Sequence, residues 1–344
     1  MRVSDFKFDL PRELIAQRPA ARREDSRMMI VDRATGGIRH ASFMDFPGLI
    51  RRGDVVVLND TRVIPAKAWG RRADGARIEF LFLRETAPGS WECLAKPARK
   101  VKTGESIIFP SGFEARVAGA TVEGGRILAF GRSDVLAGLR AFGYAPLPPY
   151  IKRPPEPAAA RDEDLGRYQT VFAARDGSIA APTAGLHFTA GVLAGLEARG
   201  ARVFRVTLDV GRATFQPVRA ETVEDHVMLE ETYEVPGETA RAVREAKREG
   251  RPVLAVGTTV VRTLESSWKD GQVRSGRRGT DLFIYPGYTY KVVDRLLTNF
   301  HLPGSTLLML VAAFAGRELV MRAYREAVRN RYRFFSYGDC MLIL

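Results

Sequence analysis

The chain has 344 residues with 53 basic and 40 acidic side chains, a formal net charge of +13, and it is 45% hydrophobic and 27% charged. That length predicts two domains, and that balance excludes an intrinsically disordered chain. Two cysteines, Cys93 and Cys340, lie too far apart in sequence for any CxxC, which excludes a zinc ribbon and a disulfide scaffold and suits a reducing cytosol.

The first residues, MRVSDFKFDLPREL, carry acids and no apolar core of the length a secretory signal needs. Arg27–Asp32 and Ile38–Phe43 flank Thr-Gly-Gly as a hairpin, and Asp54–Leu58 reads as a buried strand. From residue 63 the texture changes. Short runs at Arg77–Leu83, Trp91–Ala95, Ser106–Phe109, Phe113–Val117 and Arg126–Phe130 are separated by Gly-bearing turns, the pattern of a small antiparallel barrel. Residues 63–153 hold 15 basic and 8 acidic side chains, so +7 of the +13 surplus falls there. A helix over Ser133–Phe142, with Ser133 as its N-cap, precedes a stiff connector, PLPPYIKRPPEP, at 146–157.

Beyond the connector, helices and strands alternate. Helix Ala190–Arg199 leads to strand Arg202–Leu208, helix Glu238–Glu249 to strand Pro252–Val256, and a further helix runs from Thr258 to Trp268. A strand is expected at Asp281–Tyr285, helices at Thr306–Ala315 and Arg317–Asn330, and a last strand within Arg333–Leu344. The longest apolar run, Leu307–Ala315, is nine residues where a bilayer needs about 20, so no membrane partner is expected and the chain reads as cytoplasmic. The fold class that follows is an α/β body built from both termini, residues 1–62 and 154–344, carrying an inserted all-β small-barrel domain at 63–153.

GxGxxG after a strand, GxxxxGK[ST], HExxH, GxSxG and metal-ligand spacings are all missing, so no metal site is expected. Polar residues gather instead where strands end, the place where open α/β sheets collect ligands. Asn59, Asp60, Thr61 and Arg62 put an amide, a carboxylate, a hydroxyl and a guanidinium within one turn, although a capped Asx turn accounts for the same residues. In Ala180-Ala181-Pro182-Thr183-Ala184-Gly185-Leu186-His187-Phe188-Thr189, small residues let the backbone approach a ligand, and Thr189 can cap the next helix. Gly257, Thr258 and Thr259 open a helix whose N-terminus can seat a carboxylate or ribose. Arg262, one turn in, can clamp a carboxylate. Asp281 to Tyr288, with Asn299 and His301, mixes aromatic and polar groups as a base-stacking pocket would, or as an ordinary core would. A final polar group is Phe335-Ser336-Tyr337-Gly338-Asp339. An RNA-binding module without turnover, or an enzyme of another nucleotide or a small acidic metabolite, fits the charge and the barrel as well.

Taken in order, FDLPRELIAQRP, VVVLNDTRVIPAK, APTAGLHFT, VGTTVVRTLES, TDLFIYPGYTYKVVDRLLTNFHLP and RFFSYGDCMLIL resemble the S-adenosylmethionine:tRNA ribosyltransferase-isomerase family of queuosine biosynthesis, from about Phe8 to Leu344. The resemblance implies an α/β domain with an inserted all-β domain. It also implies ribosyl transfer from S-adenosylmethionine to 7-aminomethyl-7-deazaguanine at the tRNA wobble position, giving epoxyqueuosine with release of adenine and methionine. S-adenosylmethionine is then a consumed donor rather than a cofactor, and tRNA carrying the precursor base is the second substrate. As that reaction is drawn, C5′ beside the sulfonium loses a proton, adenine leaves, the tRNA amine adds, and epoxide closure expels methionine. His187, Asp281, His301 and Asp339 are the titratable candidates, with His187 first and Asp281 second as base. Binding falls to Asn59, Asp60, Thr61, Arg62, Pro182, Thr183, Gly185, Gly257, Thr258, Thr259, Arg262, Tyr285, Asn299 and Tyr337. Arg22, Arg23, Arg27 and the basic insert are the expected tRNA-backbone contacts, and a monomer is expected. Family members usually carry Leu-Leu at Met28-Met29, a cation at Gly304 and a small residue at Cys340.

Overall fold

The computed structural model describes residues 1–153, 158–211 and 218–344. In chain order its elements begin with strands β1 (Arg27–Val31), β2 (Ile38–Ser42), β3 (Val55–Asn59) and β4 (Thr61–Val63). Six strands follow: β5 (Lys67–Arg72), β6 (Arg77–Ala87), β7 (Ser90–Lys96), β8 (Ser106–Ile108), β9 (Glu114–Ala120) and β10 (Arg126–Phe130). Next come α1 (Val135–Phe142), α2 (Ala158–Arg167), β11 (Arg175–Ser178), α3 (Ala190–Ala198), β12 (Arg202–Leu208), β13 (Glu231–Val235) and α4 (Gly237–Arg248). The chain continues through β14 (Val253–Val256), α5 (Thr258–Ser267), β15 (Trp268–Lys269), β16 (Gln272–Val273) and β17 (Gly276–Thr280). It ends with β18 (Arg295–Asn299), α6 (Thr306–Ala315), α7 (Arg317–Arg329) and β19 (Cys340–Ile343).

Strands β5 to β10 close into an antiparallel barrel in the order β10-β7-β6-β5-β8-β9. Its interior is apolar, filled by Phe80, Phe82, Ile107, Phe109, Val117 and Leu128. The first barrel strand, β5, escapes sequence reading because Lys-Ala-Trp-Gly-Arg-Arg lacks an apolar alternation. Helix α1 starts at Val135 after Asp134, and no side chain caps it, so Ser133 is not its N-cap. The last four residues of the expected connector, 154–157, lie outside the described residues.

The barrel is inserted into a nine-stranded sheet ordered β17-β13-β12-β3-β14-β18-β19-β1-β2. Its central strands are buried on both faces, the usual state of parallel strands under helices. Along β3, Val55 and Val57 join one core with α4, α5, α6 and α7, while Val56 and Leu58 join another with Phe43, Phe46, Phe188, Val192 and Leu196. This period-two split fixes the register, because a slip by one residue would exchange the two faces. Helix α3 begins where Thr189 accepts a hydrogen bond from the Val192 N–H, as its sequence predicts.

The expected strand at Asp281–Tyr285 is not one. The strand is β17, ending at Thr280, and the following segment has no regular structure. Its alternating letters serve packing: Ile284 is buried and the Phe283 and Tyr285 rings pack tilted at 49° with centroids 5.0 Å apart. Glu265 on α5 fastens the end of the same loop. It accepts the Lys291, Val292 and Val293 N–H groups at 2.9, 3.0 and 3.0 Å, and the Tyr288 hydroxyl at 3.2 Å. Glu265→Ala leaves those three N–H groups without their acceptor, at about 1–3 kcal/mol each, so urea unfolding is expected to show at least about 3 kcal/mol of lost stability. A loss under about 1 kcal/mol would contradict this anchoring role.

Candidate active site

Strands β12, β3, β14 and β18 run parallel, whereas β13 and β19 oppose them and β1 follows β19. One edge of the sheet therefore collects the ends of β12, β3, β14, β18 and β17 together with the starts of β13, β19 and β1. Most of the predicted residues lie along this edge, but they separate into two groups.

The first group surrounds His187. A single 3-10 turn, Thr183–His187, follows Pro182 and folds across the strand ends. Gly257 beneath it has φ +93°, which glycine adopts without strain, and a side chain there would meet the Ala184 methyl at 3.6 Å. Gly185 is glycine for another reason than expected. A Cβ at that position would fall 2.7 Å from the Phe172 ring and 2.9 Å from Thr170, so the close approach is to the core rather than to a ligand.

His187 is buried with Nδ1 2.8 Å from the Ser26 hydroxyl and Nε2 3.3 Å from Asn299 Oδ1. Asn299 donates from Nδ2 to the Phe335 carbonyl at 2.9 Å, which turns its oxygen toward His187. Nε2 is accordingly assigned the proton, leaving Nδ1 to accept from the Ser26 hydroxyl, for which the Arg23 carbonyl at 3.2 Å is a second acceptor. Burial pushes the imidazole down to about 4; the Asn299 hydrogen bond and the Asp339 charge act in the opposite sense. His301 is likewise buried and pushed down to about 3, with Nε2 2.8 Å from the Thr298 hydroxyl and its N–H on the Tyr324 oxygen. Both histidines are therefore neutral hydrogen-bonding groups at physiological pH.

Asp339 is fully engaged by the protein itself. Its carboxylate accepts the Arg27 N–H at 3.1 Å, the Arg333 N–H at 2.8 Å and both guanidinium groups at 3.2–3.4 Å. Arg27 also reaches the Asn330 and Arg331 carbonyls and lies 4.1 Å over the Tyr332 ring. Arg22 pairs with Asp25 at 2.7 Å. Both side chains stay partly exposed to solvent while making these contacts.

A small cleft opens beside His187, lined among others by Ser26, Arg23, Arg167, Ser336 and Tyr337. Ser26 and Arg167 were missed in the sequence. Ser26 merely precedes β1, and Arg167 lies at the end of a helix that the sequence reading did not predict. Gly304 is not among the lining residues; it packs beside Val3.

The second group sits at the ends of β3 and β12. Asn59 is spent internally, donating to the Leu208 carbonyl and to Thr259 Oγ1 and accepting from the Thr61 and Leu208 N–H groups. Asp60 accepts the Thr207 hydroxyl at 2.7 Å, and the Thr61 hydroxyl meets Ser178 at 2.7 Å and Asp209 at 3.2 Å. Burial raises the Asp209 carboxyl, and the nearby Asp60 charge raises it further. Sequence reading missed this acid because nothing local marks it. Arg62 is exposed and donates to the Ala173 carbonyl.

Arg262 is not available to clamp a substrate. It forms a buried ion pair with Glu231 and donates to the Leu282 carbonyl at 3.1 Å. Asp281 is exposed at the end of β17. Five strand spacings of about 4.8 Å, about 24 Å, separate β17, at whose end Asp281 stands, from β18, which carries Asn299 beside His187.

The described residues contain no cluster of metal-ligating side chains and no helix long and apolar enough to cross a membrane. A family described as queuosine biosynthesis protein matches residues 3–343. Relatives named S-adenosylmethionine:tRNA ribosyltransferase-isomerase include that of Citrifermentans bemidjiense, 49% identical with 100% of each chain covered. The relative from Rubrobacter xylanophilus is 53% identical, with 100% of this chain and 98% of the relative covered. The crystal structure of the S-adenosylmethionine tRNA ribosyltransferase of Thermotoga maritima is similar over 99% of this chain and 100% of its own, with a TM-score of 0.56 and 38% identity.

Two histidines held neutral by burial make stability depend on pH. Between about 6.5 and 4 the unfolded chain binds protons that native His187 refuses, so stability is intact above about 6.5 and falls as pH drops toward 4. The slope is about 1.4 kcal/mol per pH unit for each such histidine. His187→Gln is expected to remove about half of this dependence, His301 keeping the rest, in urea unfolding at pH 7, 6 and 5; an unchanged slope would contradict the assignment.

Proposed function

The chain belongs to the queuosine biosynthesis protein family, and on that premise we propose that it transfers and isomerises the ribosyl group of S-adenosylmethionine onto 7-aminomethyl-7-deazaguanine at the tRNA wobble position. The products are epoxyqueuosine-tRNA, adenine and methionine. S-adenosylmethionine is a consumed donor, and no separate cofactor enters. We take the enzyme to act as a monomer in the cytoplasm, where its tRNA substrate is found.

The observation that carries the assignment of chemistry is the row Ser26–His187–Asn299, whose first two members line the cleft. The sulfonium acidifies C5′, yet a base must still take the proton. Ser26 Oγ takes it as its own proton passes to His187 Nδ1, and Asn299 holds the ring from the other side. At pH 7 the imidazole stands entirely in its accepting form, and the Asp339 charge favours the imidazolium formed in the step. The same hydroxyl can return the proton to departing adenine. Asp339 acts through this row as a positioning residue.

The exposed cations Lys96, at the end of β7, and Arg99, Lys100 and Lys102, just after it, form no ion pair among the described residues. They support a tRNA-backbone surface on the barrel, which gives affinity without reading sequence.

With S-adenosylmethionine labelled in its ribose and tRNA bearing the precursor base, adenine release and label entering RNA are expected in equal amounts. Ser26→Ala is expected to slow turnover by about 10²-fold or more. Adenine release without label in RNA would refute the transfer, and an unchanged rate in Ser26→Ala would refute the relay.

A further inference from the structure

Two residues that line the cleft beside His187 carry buried donors without a hydrogen-bond partner. The Tyr337 side chain is only 3% exposed, yet its hydroxyl has no hydrogen-bond partner, and Arg167 Nε is equally unpartnered. Buried polar groups in native proteins are nearly always satisfied, so a pair of orphans lining one cleft calls for an explanation. The charges are unusual as well. Arg23 and Arg167 line the same cleft, and among the described residues neither has a carboxylate partner. Arg23 is tied to the Leu186 and Gly166 carbonyls and Arg167 to those of Ala20 and Ala21, which fixes both guanidinium groups in place. The acid nearest in charge to Tyr337, Asp164, is already held by Arg153 through two hydrogen bonds of 2.8 Å.

Two guanidinium groups fixed side by side repel one another, and burial with that repulsion lowers the Arg23 basicity. Carbonyl partners orient the two groups and leave their charge uncompensated. An oxyanion would pair with both cations and accept from the two orphan donors at once.

We propose that this notch, built by Arg23, Arg167 and Tyr337, seats an oxyanion of a substrate. The inference rests on the reading that both substrates meet in the cleft at His187. Two substrate groups have the required chemistry: the methionyl carboxylate of S-adenosylmethionine and a phosphodiester of the tRNA. The site differs from the exposed cations of the barrel in being partly buried and held by backbone carbonyls, so it binds one group in one geometry.

The test uses inorganic sulfate as the probe and two variants, Tyr337→Phe and Arg167→Gln. The phenylalanine variant removes only a hydroxyl that has no partner, so its melting temperature without sulfate should match the wild type; the glutamine variant supplies a second reading. Sulfate is expected to raise the wild-type melting temperature more than that of either variant, and to inhibit turnover competitively. In Tyr337→Phe the KM of one substrate should rise roughly tenfold, the worth of one hydrogen bond to a charged group, with little change in kcat. A rise confined to S-adenosylmethionine identifies the carboxylate, and one confined to tRNA identifies the phosphodiester. Equal sulfate responses in all three proteins, with both KM values unchanged, would overturn the proposal. The melting measurement needs no turnover, so it is separate from a failure to release adenine, which would overturn the functional reading instead.

Discussion

A single carboxylate organises the catalytic edge of this molecule. Asp339 stands just before β19 and receives two backbone N–H groups and two guanidinium groups, those of Arg27 and Arg333. Arg27 opens β1, so the bond places Ser26, and Arg333 begins the turn that carries Ser336 and Tyr337. A buried carboxylate with this many donors is stable only as a complete set, because each donor left over would be a desolvated orphan. The start of two strands and one turn are thereby fixed in a common frame. The imidazole of His187 sits in that frame between Ser26 and Asn299, close enough to Asp339 to sense its charge.

This explains an apparent contradiction in the site. A base buried until its affinity for protons falls looks badly chosen, yet burial is also what keeps it unprotonated and aligned. The negative charge next to it compensates only at the moment when positive charge appears. The second polar group, around Asp60, Thr61 and Asp209, shares the same sheet edge and presents hydroxyl groups and carboxylates rather than a histidine. Its carboxyl of raised proton affinity makes it complementary in character to the first group. The catalytic edge therefore offers a neutral base at one place and a carboxyl of raised proton affinity at another.

The fold was legible because its signals are local. Apolar runs ending in Asn-Asp-Thr-Arg or Gly-Thr-Thr mark strand ends, and Gly-bearing turns mark the barrel. Strand Arg202–Leu208 and helix Thr306–Ala315 fall where the residues place them. The site was legible only in outline. His187, Asn299 and Tyr337 do converge, but Arg262 and Asp339 were misread because their partners are remote. Glu231 lies 31 positions from Arg262, and Arg27 lies 312 positions from Asp339. An arginine that can hold a substrate carboxylate and one that already holds a protein carboxylate look alike until the fold brings the second acid to it. The segment after Thr280 failed for the opposite reason, since aromatic residues that pack a loop alternate just as those of a strand do.

The central claim is that the C5′ proton of S-adenosylmethionine leaves through Ser26 and His187. Its most direct measurement is release of tritium from C5′-labelled S-adenosylmethionine into water during a single turnover with precursor tRNA. The wild type should release it in step with adenine, and His187→Gln should release it at least about 10²-fold more slowly while still binding both substrates. Tritium release at the wild-type rate from His187→Gln would contradict the account.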